Sequence, residues 1–202
     1  MGLYEDFSSA LEKAKNEREL SHFLKNNIIL IKRLRHSWND CAVKAEFKIG
    51  PFYIADFVVL SARSGAWECL LVEMQSHLDL IYTKSNVATE GLREAERQIS
   101  DWKMYIEENE SAFRDQLSIL AEENDMPACC SRADVHQCAS SELRDPHIYI
   151  EYRYMILIGR REYLSLKNNK RRSMRTDCEI VTFDRLLEDA KRIDSNTAKI
   201  VE

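Results

Sequence analysis

Glu68-Cys69-Leu70-Leu71-Val72-Glu73-Met74-Gln75 reads as a buried strand whose apolar run closes on a carboxylate and an amide. A second run, Ala55-Asp56-Phe57-Val58-Val59-Leu60, precedes it across a Ser61–Gly65 turn and carries an acid at its start. Upstream, Ala42 to Ile49 alternates apolar and polar residues, which predicts a strand with Val43, Ala45, Phe47 and Ile49 on one face. Gly50-Pro51 is a turn signal. Three strands joined by such short turns predict an antiparallel meander.

Helical periodicity flanks the meander on both sides. Tyr4, Phe7, Leu11 and Ala14, continued by Leu20, Phe23 and Leu24, recur at three- and four-residue steps until Asn26-Asn27. From Ser85 to Asn109 the residues Ala88, Leu92, Ala95, Ile99, Trp102 and Ile106 form one apolar stripe. Residues 122–146 lose periodicity and read as a loop insertion. Tyr149 to Ile158 is strand-like, Glu179–Phe183 predicts a last short strand, and a helix follows from Asp184. The 202 residues suit one domain with a real core, 1–202, with no internal repeat.

Composition excludes several classes. Hydrophobic residues make up 45% and charged residues 31%, as in ordinary soluble domains. No apolar run approaches the roughly 20 residues that span a bilayer, and no secretory signal opens the chain. The six cysteines are then expected to be reduced, and the location cytoplasmic. A net charge of −5 argues against nucleic-acid binding by bulk charge but leaves a local basic surface open.

Side chains alternate along a strand, so Glu73 and Gln75 share a face at their strand's end, and a meander would bring Asp56 to the same place. Carboxylates ending apolar strands are costly to bury without a cation or a donor. Two together suit Mg²⁺, which takes one or two carboxylates and keeps several waters; Mn²⁺ is an alternative. The other reading is of strand-end acids that face solvent or pair with Lys and Arg.

Asp56 followed by Glu73-Met74-Gln75 resembles the signature of the PD-(D/E)XK nuclease superfamily: Asp, a spacer, Glu or Asp, any residue, Lys. A wider, ordered set of landmarks resembles the Shedu nuclease domain, an anti-phage defence family. Glu19-Leu20-Ser21-His22-Phe23-Leu24-Lys25-Asn26-Asn27 is similar to its opening helix, and Ala55–Val58 and Leu71–Glu73 to core strands. Glu94 to Trp102 is similar to its helix bearing alanine, glutamine and an aromatic. Ile156–Arg160 and Val181–Leu187 resemble its last strands and closing helix.

The resemblance implies an α/β restriction endonuclease-like core, a mixed β-sheet flanked by helices, that hydrolyses phosphodiester bonds of DNA with a divalent metal. It assigns Asp56 and Glu73 as metal ligands, with Gln98 and Glu19 in support. It further implies a homo-oligomer and a chain holding little beyond the nuclease domain. Gln75 departs from the pattern, standing where the family usually has Lys. An amide can orient water but brings no charge, so a weakened or silent nucleic-acid-binding or assembly module is the alternative.

Two further groups draw notice. Arg160, Arg161, Lys167, Lys170, Arg171, Arg172 and Arg175 stand against Glu162 alone, either as a phosphate-binding surface or as a solvated loop. Cys129, Cys130, His136 and Cys138 crowd one stretch without a familiar zinc spacing, which favours reduced thiols in an insertion. His77, just past Gln75, reads as a surface or packing residue or as an aid to the site.

Overall fold

The computed structural model describes residues 2–35, 41–63, 65–129 and 138–201, the side chains of 63 and 197–201 excepted. Five strands form one mixed sheet in the order β1-β2-β3-β4-β5: β1 (Cys41–Ile49), β2 (Tyr53–Arg63), β3 (Ala66–Met74), β4 (Ile150–Leu157) and β5 (Glu179–Val181). The expected meander is present, since β1–β2 and β2–β3 are antiparallel. β4 and β5 pair in parallel. The fold is α/β, a mixed sheet flanked by helices, consistent with a restriction endonuclease-like core.

The chain gathers into two compact units, one from residues 1–34, 74–96 and 155–202, the other from 35–73 and 97–154. In the first, α1 (Leu3–Lys13) packs against α8 (Phe183–Val201). The Asp194 carboxylate of α8 accepts the backbone N–H of Leu3 and of Tyr4, each at 2.9 Å, and so satisfies two amides at the start of α1. The core here includes Phe7, Leu11, Leu20, Leu24, Leu30, Ile156, Phe183 and Leu186. The first helical segment is broken in two: Asn16 caps α2 (Glu17–Asn26) by accepting the Glu19 N–H at 3.1 Å. The apolar run Ile28–Ile31 becomes the short helix α3 (Ile29–Arg33).

The second unit places β1 and β2 with the helices α5 (Glu110–Glu123) and α6 (Ala139–Arg144) and the later part of α4 (Glu90–Glu108). The apolar stripe of α4 is buried as expected, with Ile99, Trp102 and Ile106 nearly inaccessible. Phe113 on α5 meets Phe47 of β1 edge-on at 6.2 Å. The buried Arg114 donates to the carbonyls of Leu143, Asp145 and Ile148, fastening the chain that leaves α6. On β3, Glu68 is 1% exposed and pairs with the buried Arg35 and the half-exposed Arg153. Trp67 Nε1 donates to the buried Glu142 at 3.1 Å.

β1 does not alternate as its sequence suggests. Lys44 reaches Glu123 of α5 at 2.6 Å, yet Phe47, three residues on, also packs on α5. A regular strand would send them to opposite faces. Between them Glu46 adopts φ 51°, in the left-handed region. For a residue with a Cβ this costs roughly 1–2 kcal/mol. Ala42 is buried before this point and Phe47 and Ile49 after it.

Candidate functional site

The register of β2 and β3 runs from Arg63↔Ala66 to Phe57↔Val72. Carried one residue further, it sets Asp56 opposite Glu73. Facing residues of an antiparallel pair share a face of the sheet, with Cα atoms roughly 4.5–5.5 Å apart. Two like charges so placed repel. Glu73 is only 6% exposed, whereas Asp56 is half-buried. An acid pair at the end of an apolar strand has the donor chemistry of a hard divalent cation site.

Gln98, on α4, lies against Glu73. Its side-chain amide, oriented with nitrogen toward the carboxylate, donates to both oxygens of Glu73, to Oε2 at 2.9 Å. The opposite orientation would set an amide oxygen against a carboxylate, so the hydrogen-bond pattern fixes the assignment. The helix presents Gln98 because Ala95, Ile99 and Trp102 bury their stripe and leave it at the stripe's edge. Asp56, Glu73 and Gln98 are thus brought together within one compact unit. Among the described residues no group of three or more His, Cys, Asp or Glu side chains converges as a metal cage.

Gln75 follows β3, and its backbone N–H donates to Leu157 O at 2.9 Å. Its side chain turns toward the first turn of α4. A Cβ on Gly91 would lie 3.3 Å from Gln75 Oε1 and 3.0 Å from Asp79 Oδ2. The bare glycine is the space those two side chains use. Burial raises the Asp79 carboxyl above its ordinary range. Sequence reading does not single out Asp79, Gly91 or Glu46; none carries a spacing signal.

Glu19 is exposed and occupied locally. Its carboxylate accepts the Lys15 N–H at 3.0 Å and the Asn16 side-chain amide at 3.1 Å, closing a capping arrangement at the start of α2. His77 is a packing residue, 1% exposed and edge-on to Phe183 at 6.2 Å. Burial, then the nearby Arg160 charge, push its imidazole below the ordinary value.

The basic stretch folds into a 3₁₀ turn, Arg161–Tyr163, and α7 (Leu166–Ser173). Most of its arginines have partners within their own unit. Arg160 pairs with Asp184 at 3.1 Å and Arg161 with Glu188 at 2.6 Å. Arg171 donates to Asn86 O and lies over the Tyr82 ring, and Arg172 donates to Ile180 O at 2.6 Å. Lys167 and Lys170 are exposed. Of the cysteine-rich stretch, Cys130 and His136 lie outside the described residues. Cys129 donates its backbone N–H to Glu142 at 2.7 Å, and Cys138 meets the Ser140 hydroxyl at 3.2 Å. The cysteines among the described residues are all thiols. No helix among those residues is long and apolar enough to cross a membrane.

A mixed five-stranded α/β sheet with an acid pair at the end of its apolar strands defines the class. The model of the Shedu protein SduA C-terminal family matches residues 14–187, and the chain belongs to that family. No curated protein matches the chain. The family membership suggests a part in anti-phage defence.

Proposed function

We propose that the chain is a metal-dependent DNA endonuclease acting in anti-phage defence. The observation that carries this reading is the juxtaposition of Asp56 and Glu73 across β2 and β3, with the Gln98 amide on Glu73. Asp56 and Glu73 would hold Mg²⁺, with Mn²⁺ as a substitute. When bound, such an ion polarises a phosphoryl oxygen and acidifies its water. Gln98 fixes the orientation of the Glu73 carboxylate through its side-chain amide. Gln75 stands in the chain where the family pattern has Lys, and its amide would orient a water without bringing charge.

Gln75 also supports a second reading, a nucleic-acid-binding or assembly module with reduced chemistry. An amide supplies none of the positive charge a lysine would bring. The loss of one electrostatic contact of that kind costs about 3–4 kcal/mol of transition-state stabilisation. Lys167 and Lys170, together with the exposed Arg161 and Arg171, would offer positive charge to phosphate along that stretch. Homo-oligomer assembly and a cytoplasmic location belong to the same proposal.

Supercoiled and linear DNA incubated with purified protein and Mg²⁺ or Mn²⁺ tests the reading. Nicking or linearisation that EDTA stops, and that Asp56→Ala and Glu73→Ala abolish, is expected. Equal behaviour of wild type and both variants would reject nuclease action and leave the binding module.

A further inference from the structure

α7 is built inside out. A surface helix ordinarily turns an apolar stripe toward the body of the protein. In α7 the buried position is Asn168, 8% exposed, and the one apolar residue, Leu166, is 92% exposed. Polar contacts hold the helix to its unit instead. Arg171 donates to Asn86 O and lies over the Tyr82 ring, and Arg172 donates to Ile180 O at 2.6 Å. Arg175, just past the helix, pairs with Glu96. Ser165 caps the first turn by accepting the Asn168 N–H at 3.2 Å. A helix this short has little stability of its own in water, so these contacts fix its pose.

The pose presents a mixed outer surface. Leu166, Lys170 and Ser173 follow one another at steps of four and three, on the side away from Asn168, and Lys167 neighbours Lys170. Lys167 and Lys170 are exposed and pair with no acid among the described residues. The stretch from Arg160 to Arg175 sets seven cations against Glu162, in a chain of net charge −5. A polyanion that the chain as a whole repels is drawn to this surface. Its partner must accept both the lysines and a leucine.

We propose that α7 is a docking element for duplex DNA: Lys167 and Lys170 take backbone phosphates, and Leu166 seats in the minor groove. The proposal rests on the DNA substrate of the nuclease reading, not on its metal site. The charge complementarity of the surface selects a polyanion. The narrow groove between two phosphate rows also accepts an apolar wedge, which partly unstacks and bends the duplex. That accounts for a leucine held outward among lysines.

Anisotropy of a labelled duplex titrated with wild-type protein in EDTA, over a range of KCl, separates the two contacts. Each phosphate contact contributes about 0.9 to the slope of log K against log salt. Lys167→Gln and Lys170→Gln are each expected to weaken binding and lower that slope by about one. Leu166→Ala is expected to weaken binding about tenfold at unchanged slope, and to straighten the bound duplex, read by energy transfer between its ends. Leu166→Phe is expected to keep both affinity and bend. All four substitutions fall on exposed positions, and equal melting temperatures check that each variant folds.

Lysine variants with the wild-type slope overturn the proposal, and so does Leu166→Ala that binds and bends DNA as wild type does. Binding to phosphatidylserine vesicles or to an acidic peptide that these variants lose, with DNA binding untouched, assigns α7 to that partner and overturns it as well. If the variants lose DNA in EDTA as expected and wild type cleaves nothing with metal, the nuclease reading fails and the docking role stands. If wild type cleaves and every variant binds and cleaves as it does, the docking role fails alone.

Discussion

Gln98 on α4 donates its side-chain amide to both oxygens of Glu73, a residue 6% exposed at the end of β3. The contact ties the helix that follows the meander to the acid pair that the meander builds. Hydrogen bonds to a charged group are worth about 1.5–3 kcal/mol, and the partners that orient a metal-binding carboxylate matter about 10–100-fold in affinity or activity. Gln98→Ala is therefore expected to lower metal-dependent cleavage by about one to two powers of ten, with thermal unfolding little changed. Initial rates at saturating metal, set beside rates at limiting metal, check whether the loss lies in affinity or in turnover.

Gly91 offers a probe of Gln75 that leaves Gln75 in place. Gly91 is the second residue of α4, outside the helix interior where alanine is favoured over glycine by about 1 kcal/mol. Here the added Cβ would crowd Asp79 Oδ2 at 3.0 Å and Gln75 Oε1 at 3.3 Å. Gly91→Ala is expected to change stability in urea little while lowering cleavage. Unchanged cleavage would remove Gln75 from the account. Gln75→Lys is expected to raise cleavage, and abolished cleavage would show that the amide does something a cation cannot.

The buried charge group on β3 is structural. Glu68 is 1% exposed and pairs with Arg35. Removing one partner of a buried ion pair leaves charge without compensation and costs about 3–5 kcal/mol. Glu68→Ala is expected to lose stability on that scale in urea unfolding, and Glu68→Gln to lose less. A loss under about 1 kcal/mol would place the group among surface pairs.

His77 predicts a pH dependence of stability. Burial and Arg160 hold the folded imidazole below its ordinary value, with Asp79 and the carbonyls of Leu11 and Ala14 opposing in part. The unfolded chain then binds more protons than the folded one below about pH 6.5, so stability falls as pH drops through that range. The raised Asp79 carboxyl acts with the opposite sign at lower pH. His77→Leu is expected to flatten the curve between about pH 7 and 5. A slope identical to wild type would contradict this.

Much of the fold was legible because β2 and β3 are dense apolar runs with acids at defined places. Reading them as a meander brought Asp56 to Glu73, and the stripe of α4 placed Gln98 at an edge facing the sheet. What escaped has physical causes. A left-handed glutamate carries no propensity signal, so the φ of 51° at Glu46 cannot be read from the alternation of Val43 to Ile49. The break between α1 and α2 rests on a capping hydrogen bond at Asn16, local but easily overrun by continuing periodicity. The ion pairs of Arg160 with Asp184 and of Arg161 with Glu188 cannot be read from composition.

The central claim is that Asp56 and Glu73 form one divalent metal site. Calorimetric titration of the metal-free protein with Mn²⁺ tests it most directly, with Asp56→Ala and Glu73→Ala titrated alongside and each shown to be folded by circular dichroism. The account predicts saturable binding to wild type that either substitution removes or weakens by about a hundredfold. Binding of equal strength in wild type and in either variant would contradict it.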